Sequence, residues 1–366
     1  MKATAICSAS LFVLAVGTSS ARAYETDQFT LPKKPLQDIG SDISAYVYES
    51  LEATVNATND KIDKLKTRLV EFEAKHVDPA IMADVQKQIE ELRSNHRLAN
   101  EVYSGIDGGV LLTNRVEGWV GAFGKLGKKY GKDATLKFRP GIFNNVYAWA
   151  THIRGPMYAI FSSTINLYGV ELGTDKLGHF FKQGIQYYRR FTRQVENEVD
   201  PADAEKGSVG GVGKIAEGSY FGMGLTGVYS NADLATNLAG LKFYQNILAP
   251  LTIGETAYPS MLRVRDDGKL EINPAPENAK ETVYRRFVSE HMNEAMNPSW
   301  IEAGLMRSGV RKNVKKRCKA WKARYPELTK QMDDERVRRL STWYGQDYGH
   351  KGEFDKLVSI GNVCFE

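Results

Sequence analysis

From Ile43 to Phe72 the apolar residues Ile43, Val47, Leu51, Val55, Ile62, Leu65, Leu69 and Phe72 recur at three- and four-residue intervals, with charged residues between them. That period marks one face of an α-helix, so residues 39–75 are expected to form a single long amphipathic helix whose stripe must be covered. Asp78-Pro79 breaks the pattern, and Pro79 suits the first turn of a second helix. Ile81, Val85, Ile89, Leu92 and Leu98 carry the period to about residue 100. The simplest arrangement is an antiparallel helical hairpin over residues 24–105. Such an arm packs on the rest of the chain or offers a face to a protein partner. Its polar face mixes both charge signs, which argues against a membrane-surface helix.

Gly105 to Gly109 marks the boundary with a body over residues 106–366, richer in Gly, Tyr, Phe and Trp. Its roughly 250 residues suffice for one sizeable core. The patterning predicts helices near 111–130, 174–194, 231–248, 278–292, 309–323 and 332–345. Thr135 to Arg139 reads as a short strand, and Leu262 to Ile272 as a hairpin turning at Asp266-Asp267-Gly268. The expected fold class is mainly α, formally α+β with a minor β-hairpin element.

The first 23 residues carry Lys2, an apolar stretch from Ile6 to Val16 and the small-x-small site Ala21-Arg22-Ala23. That layout predicts a cleavable secretory signal over residues 1–23, because a membrane anchor needs about 20 apolar residues. The expected location is periplasmic or secreted, with no transmembrane anchor after cleavage. Beyond residue 23 there are 47 basic and 44 acidic residues, a net charge of +3. So small a charge on an exported chain excludes nucleic acid as the expected partner. An anionic cell wall is compatible with it. Two cysteines remain, Cys318 and Cys364. In an oxidising compartment they are expected to pair, closing a loop of about 45 residues and contributing about 4 kcal/mol. They lack the close spacing of a zinc or redox motif.

Three stretches carry candidate chemistry. The run from Gly207 to Lys214 suggests a phosphate loop, but Ser208 stands where the first glycine belongs and Ile215 where the magnesium-holding hydroxyl belongs. It reads as a flexible turn into a helix, and no cofactor is expected. In Glu171-Leu172-Gly173-Thr174-Asp175-Lys176-Leu177-Gly178-His179-Phe180-Phe181, Thr174 is a good N-cap, and Asp175 and His179 stand at i and i+4 on one helical face. A carboxylate beside an imidazole fixes its tautomer and raises its pKa, as acid–base chemistry needs. The alternative is a buried His–Asp hydrogen bond, with Gly178 letting another helix approach. Without a second nearby histidine or a cysteine the ligand count for a metal is short and none is expected, a metal-dependent hydrolase centred on His179 being the third and least favoured reading.

The third stretch is Glu217 to Gly240, where one glutamate follows a Gly-rich run and precedes a glycine-punctuated turn with Thr226 and Tyr229. A glutamate at the end of a partly buried helix is held protonated by desolvation, as a general acid requires. Tyr220, Phe221 and Tyr229 could supply an apolar wall or stack on sugar rings. Ser230-Asn231-Ala232-Asp233 also fits a capping box, with Asp233 at the third helical position. Leu234, Leu238, Leu241 and Tyr244 then form that helix's core face. The basic run from Arg311 to Arg317 reads as a solvated helix face, and Glu290, His291 and Glu294 as an exposed cluster. Most of the five tryptophans are expected in the core.

Asp175-Lys176-Leu177-Gly178-His179-Phe180 resembles the D-K-x-x-H-F signature of VanZ-like proteins and of some small periplasmic lipoproteins, families that imply no settled chemistry. The helix-end Glu217 followed by a turn bearing Gly, Thr and Ser resembles the lysozyme superfamily. That resemblance implies a lysozyme-like helical body in which Glu217 protonates a glycosidic oxygen, with Thr226, Ser230 or Asp233 assisting a water or a charged intermediate. Of these Thr226 is preferred, because capping already accounts for Ser230 and Asp233. Asp175, His179, Tyr220, Tyr229 and Ser230 would support the site. The implied reaction is hydrolysis of the glycan strands of peptidoglycan. The alternative is a non-enzymatic envelope protein in which arm and body bind a wall, lipid or protein partner.

Overall fold

The computed structural model describes residues 25–107, 124–147, 161–209, 227–273, 278–302, 304–343 and 354–365. The described chain is mainly helical, with four small two-stranded antiparallel pairings. Helix α1 runs Gly40–Ala74, α2 Pro79–Leu92 and α3 Asn95–Asp107. Pro79 occupies the first turn of α2, and the Asp78 carboxylate accepts from the Ala80 amide, closing that helix end as the Asp-Pro pair predicts. The second arm helix divides at Arg93 and Ser94, where the Ser94 hydroxyl accepts from the Arg97 amide and starts α3.

The apolar stripe of α1 has two fates. Ile43, Val47, Leu51 and Val55 are buried together with Leu98, Val102 and Ile106 of α3. They share one cluster with Leu177, Phe180, Tyr244, Tyr284 and Phe287 from the rest of the chain. Past Ile62 the stripe is half-buried at Leu65, Leu69 and Phe72 and no longer belongs to this cluster. The inner half of the arm is therefore part of the main core, while further out Asn59, Asp63 and Lys66 bond to the 262–272 hairpin.

After α4 (Gly124–Tyr130) comes the hairpin β1 (Thr164–Leu167) and β2 (Val170–Gly173). Tyr168 and Gly169 form its turn, both at positive φ (55° and 83°), the geometry a two-residue hairpin loop demands. A continuous helical run follows: α5 (Asp175–Gly178), a π-helical turn (His179–Gln183) and α6 (Gly184–Glu196). Next are α7 (Pro201–Ser208), β3 (Val228–Tyr229) and α8 (Asn231–Gln245). Pairs β4–β5 (Leu251–Ile253, Thr256–Tyr258) and β6–β7 (Leu262–Val264, Leu270–Ile272) are next, the second being the hairpin expected around Asp266-Asp267-Gly268.

Helix α6 crosses α8 with almost no side chain between them. A Cβ on Gly240 would lie 2.0 Å from the Phe180 carbonyl oxygen, and one on Gly184 would lie 2.6 Å from the Gly240 Cα. Gly184 and Gly240 thus let the two helices approach closely.

Three expected elements differ. The helix at 278–292 is a single turn, α9 (Ala279–Thr282), followed by 3-10 turns at Arg285–Phe287 and Glu290–Met292. Tertiary contacts break it: the Tyr284 amide donates to the Ser44 hydroxyl of α1, and Ser289 is fully extended. The helix at 309–323 is two, α10 (Gly304–Lys315) and α11 (Cys318–Arg324). Arg317 sits in the break, its guanidinium bonded to the Thr30 hydroxyl and the Asn144 carbonyl. Thr135 to Arg139 contributes one bridge, Phe138 to Thr164, in place of a strand.

The C-terminal part comprises β8 (Trp300–Ile301, paired with β3), α10, α11, α12 (Lys330–Trp343) and α13 (Ile360–Cys364). It builds a second apolar cluster around Trp321, Val310, Val314, Ile360 and Phe29. Cys318 and Cys364 are joined by a disulfide with Cα atoms 5.0 Å apart, the pairing expected from their number. Among the described residues no helix is long and apolar enough to cross a membrane.

Candidate functional site

Where the two apolar clusters meet, the interior is ionic. Hairpin β1–β2 delivers the chain to Gly173, a position with no room for a side chain: a Cβ there would lie 2.1 Å from both the Asp175 Oδ1 and the Thr26 Oγ1. Thr174 does not cap the helix as expected. Its hydroxyl accepts from the Ser163 amide and pins the hairpin end to the neighbouring strand. Asp175 and Lys176 follow at once, both almost fully buried.

Lys176 is the hub. Its Nζ lies 2.7 Å from Asp175 Oδ2, 2.5 Å from Asp233 Oδ1 and 2.5 Å from Glu294 Oε1. Asp233 is supplied by the first turn of α8, held there because the Ser230 hydroxyl accepts from the Asp233 amide, as the capping box predicts. Glu294 follows the 3-10 turn at Glu290–Met292; its amide donates to Gln28 Oε1, and Tyr147 donates to its Oε2 at 3.3 Å. The N-terminal stretch closes the other side. The Thr26 hydroxyl donates to Asp175 Oδ1 at 2.6 Å, and Gln28 Nε2 donates to the Glu171 carbonyl. Residues from five places in the chain thus meet around one ammonium.

The electrostatics divide the carboxylates. Burial favours the neutral form of Glu294, and Asp175 and Asp233 add repulsion. Lys176 only partly offsets them, so the Glu294 pKa is pushed up to about 8. Burial also acts against the charged form of Asp233, but His179 and Lys176 outweigh it and hold that carboxyl below its usual range. Burial acts against the charge on Lys176 as well, yet Asp175, Asp233 and Glu294 more than compensate and keep it protonated. The short Lys176–Glu294 distance invites a simple ion pair. With three carboxylates around one cation, however, proton uptake by Glu294 relieves the excess negative charge, and that direction is the one supported by the count of charges.

His179 completes the group. Its Nδ1 is 3.0 Å from Asn237 Oδ1, and its Nε2 is 3.4 Å from Asp233 Oδ2. Asn237 lies one turn beyond Asp233 on α8 and donates through Nδ2 to the Tyr187 hydroxyl. The direct Asp175–His179 hydrogen bond expected from their spacing is replaced. Asp175 is engaged by Thr26 and Lys176, while the ring of His179, at the start of the π-helical turn, meets Asn237 and Asp233 of α8. π-helical turns within α-helices are frequent at functional sites.

The remaining expected site residues fall as follows. Tyr229 is buried in β3 opposite Trp300, and Ser230 caps α8. Glu217, Tyr220 and Thr226 lie outside the described residues, as does most of the Gly207–Lys214 run. Glu294 and His291, read from sequence as an exposed cluster, are buried. The short 3-10 turn replaces the helix that would have kept them at the surface, and His291 Nδ1 contacts the Ser289 hydroxyl. Lys176 and Glu294 are the residues that sequence reasoning missed. The available signal was a lysine beside Leu177, Phe180 and Phe181, a polar residue inside an apolar string.

What the cluster offers chemically is a fixed cation, a carboxylate held ionised, a carboxyl held protonated and an imidazole at the edge. Such a group is not explained by stability alone, since replacing a buried ion network with apolar residues is commonly neutral or stabilising. Strongly divided carboxyl pKa values in one buried cluster are a mark of functional sites. No protein-family model, no curated protein and no solved structure matches this chain.

Proposed function

We propose that the protein is an exported hydrolase of cell-wall glycan, with its reaction centre at the His179–Asp233 edge of the ionic cluster. One observation carries the reading: Lys176, Asp175, Asp233, Glu294 and His179 converge from distant segments into the buried interior, at a cost that folding alone does not require. Asp233 stands seven residues after Thr226 in the chain. The stretch bearing Glu217 and Thr226 thus leads into α8 along the chain. In this reading Glu217 is the general acid, as the lysozyme resemblance implies, Thr226 assists the attacking water, and Lys176 fixes Asp233. The signal-like first 23 residues and the mild net positive charge support a substrate in the envelope.

The test is release of soluble fragments from purified peptidoglycan sacculi, native and chemically de-N-acetylated, by the mature protein and by Glu217→Gln. Release by wild type alone is expected, and a preference between the two preparations defines the sugar recognised. Equal release by both proteins removes Glu217 from the mechanism. No release from either preparation, with both proteins folded, supports a second reading: a non-enzymatic envelope protein. One observation favours that reading. An open groove of about 430 Å³ lies between α1, α2 and the start of α3, lined by Lys61, Lys64, Leu65, Gln88, Leu92 and Arg97 among others.

A further inference from the structure

We propose that Asp175, His179 and Asp233 form a binding site for one divalent transition-metal cation of the Zn²⁺ or Mn²⁺ class. The argument begins at Asn237. Its Nδ2 donates to the Tyr187 hydroxyl, which turns its Oδ1 toward His179 Nδ1 at 3.0 Å. A carbonyl oxygen only accepts, so Nδ1 carries a proton and Nε2 is the nitrogen that turns toward the carboxylates. That Nε2 is buried and has no hydrogen-bond partner among the described residues. What faces it, 3.4 Å away, is the Asp233 Oδ2. A positive charge belongs between the two, supplied by a proton on Nε2 or, in its place, by a metal cation that the Asp175 carboxylate also reaches.

The carboxylates are arranged to accept one. Lys176 engages Asp175 through Oδ2 and Asp233 through Oδ1; this leaves Asp233 Oδ2, and Asp175 Oδ1 accepts one bond from Thr26 and keeps a second lone pair. One ligand atom from each of Asp175, His179 and Asp233 lies within 4.8 Å of the others. Zinc takes nitrogen and oxygen ligands at about 2.1 Å in tetrahedral array, which places any two of them about 3.4 Å apart. His179 Nε2 and Asp233 Oδ2 already have that separation, at 3.4 Å, so binding requires only that the Asp175 carboxylate draw in. The supporting shell is in place: a histidine that ligates a metal through one nitrogen donates its other N–H to a fixed acceptor, as His179 does to Asn237. Thr26 and Lys176 orient the two aspartates. Charge agrees as well. With Glu294 holding its proton, Asp175 and Asp233 around one ammonium leave a formal charge of −1, so the site keeps negative charge for a cation. An imidazole with two carboxylates suits Zn²⁺ or Mn²⁺ better than Ca²⁺, which prefers an all-oxygen shell. The sequence alone could not supply this set, because its third member lies on a different helix.

The experiment is equilibrium dialysis of the chelator-stripped, full-length mature protein against Zn²⁺ or Mn²⁺, with metal counted per chain and Tm followed in parallel. The expected result is one equivalent bound more tightly than about 10 μM, with a rise in Tm. His179→Gln is expected to weaken binding by more than about 100-fold, whereas the exposed-histidine control His96→Gln leaves it unchanged. Should His179→Gln not fold, the ¹⁵N shift of His179 Nε2 in wild type decides: movement on adding Zn²⁺ supports the site, and an unmoved protonated Nε2 overturns it. Absence of tight binding by wild type, or equal binding by His179→Gln, also overturns it. The inference stands apart from the glycan reading. Sacculus digestion by a protein that binds no metal in dialysis would sink the site and keep the hydrolase, and metal binding without digestion would do the reverse.

Discussion

Lys176 shows how much a single residue can hold and how little of that is legible locally. Its three partners lie one, 57 and 118 residues away, so spacing could identify only Asp175. Asp233 was legible as a capping residue and is one; its second task, holding Lys176, depends on where α8 crosses α6. The two groups make opposite predictions. Lys176→Met leaves buried carboxylates without their cation and is expected to cost about 3–5 kcal/mol near neutral pH. Glu294→Gln removes a carboxyl that already prefers its proton. In the folded state that carboxyl titrates at about 8, against an ordinary value of 4.5. Between these two values the native state binds more protons than the unfolded state, so this group makes stability fall as pH rises, by about 1.4 kcal/mol per unit. Its contribution is complete below 4.5 and gone above 8. Glu294→Gln should therefore gain on wild type steadily from pH 5 to pH 8 in urea unfolding experiments. Parallel pH profiles for the two proteins would show that Glu294 is ionised in the fold.

At the scale of elements, periodicity was a sound guide wherever one face of a helix meets one core. It located α1, α6, α8 and α12 and the β6–β7 hairpin. It failed over 278–292, where Val283, Tyr284, Phe287 and Met292 recur at helical spacing and are all buried, yet the backbone is divided by bonds to α1 and by an extended Ser289. It also gave no sign of the π-helical turn at His179, because an extra residue in a turn leaves no composition signature. The crossing of α6 and α8 is the element-level feature that assembles the cluster, since it brings His179 to Asp233 and Asn237. Gly240→Ala would place a Cβ 2.0 Å from the Phe180 carbonyl oxygen and 2.9 Å from the Gly184 Cα, both backbone atoms. Overpacking of this kind costs about 1–3 kcal/mol, with the upper end expected because backbone yields less than side chains. Gly304→Ala, with nothing within 4 Å of the added carbon, should be neutral or slightly stabilising. Similar chemical denaturation midpoints for both variants would contradict the crossing as the constraint.

Across the whole molecule, the two chain ends are fastened by different means. Near the N-terminus, Thr26 and Gln28 bond into the ionic cluster and Phe29 enters the second apolar cluster, so the first described residues are part of the interior. Hydropathy could not reveal this, because Glu25-Thr26-Asp27-Gln28 is polar throughout and is buried by hydrogen bonding. Asp27 illustrates the cost: burial outweighs its bonds from Val146 and Thr30 and pushes its carboxyl up to about 6. At the other end α13 is a helix of five residues, too short to hold itself in water. Contacts to α10, α11 and α12 seat it, and the Cys318–Cys364 disulfide joins it to α11. A crosslink spanning 46 residues restricts the unfolded chain by about 4 kcal/mol in the loop-entropy model, and removing a native disulfide costs about 2–5 kcal/mol in practice. Cys364→Ser should thus lower stability by about 2–4 kcal/mol, the same shift that reduction of the wild type produces. Because Cys318 and α13 belong to the second cluster while Lys176 is bonded at the seam between clusters, the loss should be nearly additive with Lys176→Met. A double variant whose destabilisation falls more than about 1 kcal/mol from the sum would show that C-terminal fastening and ionic cluster are coupled. In that case the disulfide would act on the candidate site as well as on the fold.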